Sequence, residues 1–301
     1  MKFIITVPGL FLSPKVIDPW HVEMTPADIT HYSRRVDELG YDYIRVPEHL
    51  LIPRELSESM GTKWTEPVTT MAFLAGATNQ ISFVTGILVL PYHDPVILAK
   101  GIATLDYLSG GRVTLGVGVG HVEKEFEALN IPFEDRGVIG SEYIQAIKEL
   151  WTSDDPTFDG RFVQFKDVVF DPKPVQKPHP PIWVGGLSKA ALRRAATLGD
   201  GWQPLASRPL SELTSMLDYL REQPAYQQRT RPFDIVMQRA IAGETPSGAA
   251  VGSDELVQRF GELKELGLTH TSPAIGKARS MEESLDELQR FAEDVMPLCR
   301  D

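Results

Sequence analysis

Glu48 and His49 stand side by side where an apolar run of the chain ends. Histidine can accept and release a proton near neutral pH, and a neighbouring carboxylate can orient its ring. The pair therefore predicts acid–base chemistry, in which His49 moves the proton and Glu48 orients the ring. The alternative is a structural histidine that only ends a strand.

Two further apolar runs end in glycines. One run closes with Gly116, Gly118 and Gly120, and the other closes with Gly185 and Gly186. The backbone amides of a glycine turn can approach an anion closely, and a following helix adds the positive end of its dipole. Both turns are therefore candidate phosphate sites, although glycines can also serve only to relieve crowding at a strand end.

The residues around these turns refine the prediction. A dinucleotide-binding fingerprint needs glycine at its sixth position, but that position counted from Gly116 holds His121. The second turn is followed by Lys189, Arg193 and Arg194. We expect a cation from this group to meet a phosphate together with backbone amides. A solvated basic face of a helix is the alternative.

Other kinds of active site find little support in the sequence. His49, His93 and His121 follow three neighbouring predicted strands, but no pair has the helical spacing of metal ligands and HExxH is absent. The sequence also lacks GxSxG and Walker A motifs, and its single cysteine is Cys299. We therefore expect no metal.

Three aromatic residues could wall a planar ring: Trp64, Tyr92 and Trp202. The alternative is that they only fill the core.

The stretch from 81 to 120 contains the elements that must position these residues. Apolar, β-branched runs predict strands over 81–90 and 113–119, and helical spacing predicts a helix over 95–108 that Gly110 and Gly111 end. Strands that are apolar on both faces are typical of parallel sheets covered by helices. Ligands bind at the carboxyl ends of such strands, where the glycines and histidines stand.

Strand and helix patterns alternate along the rest of the chain. The eight predicted strands cover 3–7, 41–46, 81–90, 113–119, 182–184, 201–204, 233–242 and 270–275. This alternation predicts an α/β fold, a single (β/α)8 TIM barrel over residues 1–301, and favours it over a doubly wound sheet. Insertions are expected at the C-terminal face of the strands. The longest is an excursion at about 121–180 that holds a helix over 141–151 and a phenylalanine-rich hairpin.

The composition limits the partners. A net charge of −11 argues against nucleic acid and against anionic membrane surfaces. No run approaches the length of a membrane span, and the first residues lack the cleavage site of a signal peptide. One cysteine excludes an internal disulfide and fits a reducing compartment. We therefore expect a cytoplasmic protein.

Three stretches resemble the luciferase-like monooxygenase superfamily, and within it the F420-dependent oxidoreductase branch. They read TGILVLPYHDPVILAKGIATLDYLSGGRVTLGVGVG at 85–120, FEALNIPFEDRG at 126–137 and FDPKPVQKPHPPIWVGG at 170–186. The resemblance runs through most of the chain, and beyond about Arg208 it is one of general pattern only. It implies a (β/α)8 barrel with excursions, a homodimer in the cytoplasm, and a ring system bound across the C-terminal mouth of the barrel.

The resemblance also implies roles for particular residues. The catalytic pair maps onto Glu48 and His49, and a non-prolyl cis peptide behind the ring maps onto Gly86 and Ile87. The phosphate-tail sites that it implies map onto Val119, Gly120, Gly185 and Gly186. We add His121 and Lys189 as candidate cofactor-binding residues, because they adjoin these two turns. His121 stands where related sugar-phosphate dehydrogenases place an acid, which argues against a glucose-6-phosphate type of mechanism.

The predicted function is a coenzyme F420-dependent oxidoreductase that transfers a hydride between C5 of the deazaflavin and a small organic substrate. An FMN-dependent monooxygenase that uses reduced flavin and oxygen is the alternative, because the barrel and the phosphate contacts would be nearly the same. A third hypothesis is that the protein is a non-catalytic relative that only sequesters a cofactor. Apolar residues of the loop 50–66 indicate a fairly hydrophobic substrate: Leu50, Leu51, Ile52, Met60 and Trp64.

Overall fold

A closed barrel of eight parallel strands forms the centre of the protein. The structure is a computed structural model, and it describes residues 1–14, 18–204, 210–237, 251–273 and 276–300. The barrel strands are β1 (Lys2–Ile5), β2 (Tyr43–Val46), β3 (Ser82–Thr85), β4 (Val113–Gly118), β5 (Ile182–Gly185), β6 (Gly201–Gln203), β7 (Asp234–Met237) and β8 (His270–Thr271). Neighbours in the chain pair with each other, and β8 pairs with β1 to close the ring. The predicted (β/α)8 barrel is therefore confirmed.

The interior of the barrel is filled by side chains rather than open. Ile4, Val84, Trp183 and Val236 come from four different strands and pack against one another, each at most 1% exposed. The indole Nε1 of Trp183 donates a hydrogen bond to Asp234 at 3.0 Å, so that the polar edge of this large ring is satisfied. This plug gives the mouth of the barrel a solid floor.

In the described part of the chain, helices follow the barrel strands and pack around the outside of the barrel. They are α1 (Pro26–Glu38), α2 (Pro67–Ala75), α3 (Pro95–Ser109), α4 (Glu123–Ala128), α5 (Arg136–Thr152), α6 (Lys189–Leu198), α7 (Leu210–Arg221), α8 (Ser253–Glu265) and α9 (Met281–Asp294). Single helical turns occur at Pro19–Val22, Arg54–Leu56, Ser57–Met60, Leu90–Tyr92, Phe133–Asp135, Pro224–Gln227 and Met296–Cys299. In the described part of the chain, no helix is long and apolar enough to span a membrane.

The helix ends follow the signals in the sequence. Thr25 caps α1 and forms a capping box with Asp28, and Asp94 caps α3 by accepting two backbone N–H groups. Gly110 ends α3 in the left-handed conformation, with φ at 71°, as the glycine pair predicted. These caps fix where each helix meets its strand.

Some predicted strands differ from the observed ones. The strand predicted over 81–90 is divided into Ser82–Thr85 and Leu88–Val89, and the Gly86–Ile87 peptide bond between the two parts is cis. The predicted hairpin is present, with Phe158–Asp159 antiparallel to Gln164–Phe165. Residues 238–242 of the seventh predicted strand and 274–275 of the eighth lie outside the described residues.

An exposed glycine in α8, Gly261, offers a test of the helix assignment. A Cβ built on Gly261 meets no other atom within 4 Å. The variant Gly261→Ala should therefore raise the free energy of unfolding by about 0.5–1 kcal/mol, because alanine loses less backbone entropy on folding. Urea denaturation measures the change. The matched control Gly116→Ala should lower stability, since its Cβ would lie 1.9 Å from the carbonyl oxygen of Thr85.

Candidate active site

A cavity of about 820 Å³ opens at the carboxyl ends of β2 to β5, and we call it the mouth cavity. It is lined by every predicted site residue except Lys189: Glu48, His49, Gly86, Ile87, Val119, Gly120, His121, Gly185 and Gly186. The volume lies within the usual range for sites that bind small molecules and cofactors. The barrel fold thus brings together residues that are far apart in the sequence.

One wall of the mouth cavity is the bulge at Gly86–Ile87. The bond between these residues is the cis peptide that the resemblance implies. The Ile87 side chain lies against two glycines, since a Cβ on Gly118 would come within 2.4 Å of it and one on Gly185 within 2.9 Å. These two glycines therefore make room for Ile87, as the crowding alternative for the glycine turns supposes.

His49 is paired with a buried carboxylate that the sequence reading missed. Its Nδ1 lies 3.0 Å from Oε2 of Glu125, whose side chain is 1% exposed. The other oxygen, Oε1, accepts the backbone N–H groups of Leu50 and Leu51 at 2.9 and 3.1 Å. Glu125 thus fixes both the histidine ring and the backbone that follows it.

The expectation that Glu48 orients His49 is wrong. Oε1 of Glu48 lies 2.7 Å from Nε2 of His93, and its Oε2 accepts the N–H of Val89 at 2.6 Å. Successive residues that leave a strand point to opposite sides, so Glu48 faces the continuation of β3 while His49 faces α4. Glu48 therefore ties two strand ends together.

Burial and hydrogen bonding together determine the charges of Glu125 and His121. Burial pushes the pKa of Glu125 upward, but hydrogen bonds from His49 and from the amides of Leu51 and Leu50 outweigh it and hold the pKa below its ordinary value of 4.5. Burial, with His49 nearby, lowers the pKa of His121. At neutral pH the site therefore holds an ionised Glu125 and a neutral His121.

The substitution Glu125→Gln should destabilise the protein by about 1–3 kcal/mol at neutral pH, because one buried partner of the carboxylate loses its acceptor. A lowered folded-state pKa stabilises the fold above the unfolded value, and that stability is lost as the pH falls through the folded value. The difference in the free energy of unfolding between wild type and variant should thus have its full value above pH 4.5 and become smaller in more acidic solution. Urea denaturation at several pH values measures it, and a difference that stays constant with pH would contradict this account.

Aromatic residues contact His49 and its carboxylate partner. Trp64 meets His49 edge to face, with ring centroids 4.6 Å apart. The hydroxyl of Tyr92 donates a hydrogen bond to Glu125 at 3.3 Å, and Tyr92 also lines the mouth cavity. Trp202, by contrast, is fully buried beneath the site and donates to the carbonyl of Gly186 at 2.8 Å. Two of the three predicted aromatic walls therefore reach the cavity.

The far end of the mouth cavity has the features of an anion site. Gly120 and Gly186 adopt φ values of +76° and +118°, which favour glycine, and α6 begins beside Gly186 with Ser188 as its cap. Arg136 and Arg194 line this end, and Glu134 does too. Arg194 is held by Ser141 and by the carbonyl of Gly137 at 2.9 and 2.7 Å.

The expected contact of Lys189 with this end is not present. Its Nζ lies 5.1 Å from the ring centroid of Tyr219, and Arg193 donates to the hydroxyl of the same tyrosine. Lys189 and Arg193 are four residues apart on α6 and share the face that meets α7, whereas Arg194 turns toward the cavity. Among the described residues, no cluster of three or more histidine, cysteine, aspartate or glutamate side chains is arranged to hold a metal.

The comparisons with known proteins agree with this geometry. The family model described as luciferase-like monooxygenase matches residues 6–294. An FMNH2-dependent dimethylsulfone monooxygenase of Pseudomonas putida is 34% identical over 163 residues, which are 53% of this chain and 44% of that protein. An F420-dependent glucose-6-phosphate dehydrogenase of Amycolatopsis mediterranei is 30% identical over 181 residues, which are 59% and 53%.

The matched part of the chain thus spans about half the length of these two relatives. Among solved structures, monooxygenase RslO1 from Streptomyces bottropensis superimposes with a TM-score of 0.79 at 24% identity, over 99% of both chains. At this level of identity the likeness extends to the fold alone.

Proposed function

Because this chain belongs to the luciferase-like monooxygenase family, we propose that it is a coenzyme F420-dependent oxidoreductase. The proposed reaction transfers a hydride between C5 of the deazaflavin and a small organic substrate. The observation that carries the proposal is the pair of His49 and buried Glu125 beside the bulge at Gly86–Ile87. Hydride transfer to or from an organic substrate needs a fixed group that gives or takes a proton, and this pair is suited to that role.

The residues of the mouth cavity fit a flat ring that carries a phosphate tail. Gly118 and Gly185 keep the floor around Ile87 free of further side chains, and a Cβ on Gly120 would meet Phe126 and Val89 at 2.8 Å. The ring would lie over the bulge, and the tail would meet the end lined by Arg136 and Arg194. When bound, a deazaflavin supplies the hydride chemistry at its central carbon.

The chain's own side chains have three tasks in this proposal. His49 holds or moves a proton at the ring nitrogen that is not bound to Glu125. Glu125 is a positioning residue that fixes the tautomer and the direction of the imidazole. Trp64 and Tyr92 keep water away from the pair, which strengthens the electrostatic interaction within it.

Titration of the purified protein with F420 and with FMN tests the cofactor. We expect F420 to bind with a dissociation constant at least about tenfold lower than that of FMN. The second candidate, a monooxygenase that uses reduced FMN, rests on the 34% identity to the dimethylsulfone monooxygenase. Tight binding of FMN with no binding of F420 would select that candidate. Binding of neither would reject both.

An apolar surface on α2 and α3 supports the expectation of a homodimer. Phe73, Ile97 and Leu108 are 56%, 74% and 75% exposed, and the latter two lie three helical turns apart on one face of α3. α2 packs against α3, so these exposed side chains stand on neighbouring helices. We propose that they form one apolar surface and that a second copy of the chain covers it.

The double variant Ile97→Glu, Leu108→Glu should abolish this association, because four buried charges would face each other across the symmetric interface. Light scattering after size-exclusion chromatography should report twice 33.5 kDa for the wild type and 33.5 kDa for the variant. Val169→Glu, at an 86% exposed position of the excursion, is the matched control and should remain dimeric. A monomeric wild type would refute the dimer.

A further inference from the structure

A second cavity of about 340 Å³ adjoins the mouth cavity, and we call it the side cavity. It lies at the carboxyl ends of β1, β2 and β8. Phe11 and Arg45 line both cavities and mark the passage between them. Most of the other described residues that line the side cavity are apolar or small: Ile4, Ile5, Thr6, Val7, Pro8, Ser272 and Pro273.

Arg45 brings a positive charge to the passage. Its Nε donates to the hydroxyl oxygen of Thr6 at 3.1 Å. Its aliphatic stem crosses the face of Gly86, where an added Cβ would lie 2.2 Å from Cγ and Cδ of the arginine. Burial lowers the pKa of the guanidinium to about 10, so Arg45 remains charged at neutral pH.

The other titratable residues of the side cavity are neutral. Burial lowers the pKa of His21, against a weaker upward effect of Asp18. Burial raises the pKa of Tyr32 to about 12. Among the described lining residues, Arg45 is thus the one side chain that carries a charge at neutral pH.

Two hydroxyl groups add to the donors around Arg45. Thr6 accepts a hydrogen bond from Arg45, so its own hydroxyl proton is left to donate, and no described residue accepts it. The hydroxyl of Ser272 likewise makes no hydrogen bond to another described residue. Three donors with apolar walls around them match an oxyanion attached to an apolar body.

We propose that the substrate is a monocarboxylate with an apolar body, and that its carboxylate binds Arg45, Thr6 and Ser272 in the side cavity. This proposal rests on the proposed function for the claim that the ligand is a substrate. A carboxylate matches one guanidinium in charge and in planar shape, whereas a phosphate dianion would call for a second cation. The apolar body would extend through the passage toward His49.

Calorimetric titration of the purified protein at neutral pH tests the proposal without turnover. The probes are butanoate, hexanoate and octanoate, each compared with its primary amide, with and without the cofactor that the protein binds. We expect at least one acid to bind about tenfold more tightly than its amide. Arg45→Met should remove this preference and leave the affinity for the amide within about twofold. Arg45→Lys should keep part of the preference.

Arg34→Met is the matched control, because Arg34 is an exposed residue of α1 whose side chain donates a hydrogen bond to the carbonyl of Ala77. It should preserve the preference for the acid. Equal affinity of acid and amide for the wild type, or no binding of any acid below about 10 mM, would overturn the proposal. So would a preference that survives in Arg45→Met. If Arg45→Met fails to fold, the wild type and Ser272→Ala carry the test, with a reduced preference expected in Ser272→Ala. A failure to bind F420 or FMN would instead refute the proposed function.

Discussion

Replacing His49 by glutamine is expected to lower kcat by about 10²–10⁴-fold, the usual contribution of a positioned acid or base. Glutamine can still donate a hydrogen bond to Glu125, so the buried carboxylate keeps a partner and the local structure should persist. The amide cannot exchange a proton near neutral pH, so only the proton transfer is lost. Stopped-flow absorbance of the cofactor would follow hydride transfer, and a separate titration would show that the cofactor still binds.

The matched control is His31→Gln, at an exposed position of α1. It should change neither kcat nor the rate of hydride transfer by more than about twofold, since surface substitutions away from a site have small effects. Unchanged turnover in His49→Gln, with the cofactor bound, would remove His49 from the mechanism. A loss of cofactor binding equal to the loss of rate would instead assign His49 to binding.

Replacing Gly120 by alanine is expected to have the second largest effect, on both stability and cofactor affinity. With φ at +76°, an alanine would cost about 1–2 kcal/mol of backbone strain. Its Cβ would also lie 2.8 Å from Phe126 and Val89, and such overpacking typically costs about 1–3 kcal/mol more. The turn should shift to relieve the contact, so the backbone amides proposed to meet the phosphate would move away.

We expect the affinity for the cofactor to fall about tenfold or more, measured by fluorescence titration at a temperature where the variant is folded. Gly110→Ala separates strain from crowding, because Gly110 has φ at +71° but nothing within 4 Å of its Cβ. Urea denaturation should show that Gly110→Ala loses only the stability that corresponds to the backbone strain. Its affinity for the cofactor should be unchanged. Equal behaviour of the two variants would contradict a special role for the Gly120 turn.

The barrel could be predicted from the sequence because its signals are local. Buried parallel strands read as continuous apolar runs, and caps such as Thr25 and Gly110 mark the helix ends within a few residues. The position of the cis peptide came from the resemblance, since no local propensity predicts such a bond outside proline.

The site partners could not be predicted because they depend on distant residues. Glu125 meets His49 across 76 positions of sequence, and no pattern near either residue connects them. The nearest signal was an acidic residue early in the helix after the β4 glycines. The sequence does not distinguish Lys189 from Arg194, because only the packing of α6 decides which of them faces the cavity. Arg45 was missed because an inward position next to a glycine becomes evident only once β2 and β3 are paired.

Ile87 stands between two glycines, and this has a consequence for how such an enzyme can be adapted. If a ring rests on it as proposed, the length of this one side chain determines how deep the ring settles. Exchange for valine would lower the resting plane and lengthen the path from the ring to His49, with the histidine itself untouched. The depth of the ring and the acid–base chemistry could then be adjusted separately, since the residue that supports the ring and the residue that transfers the proton come from different strands.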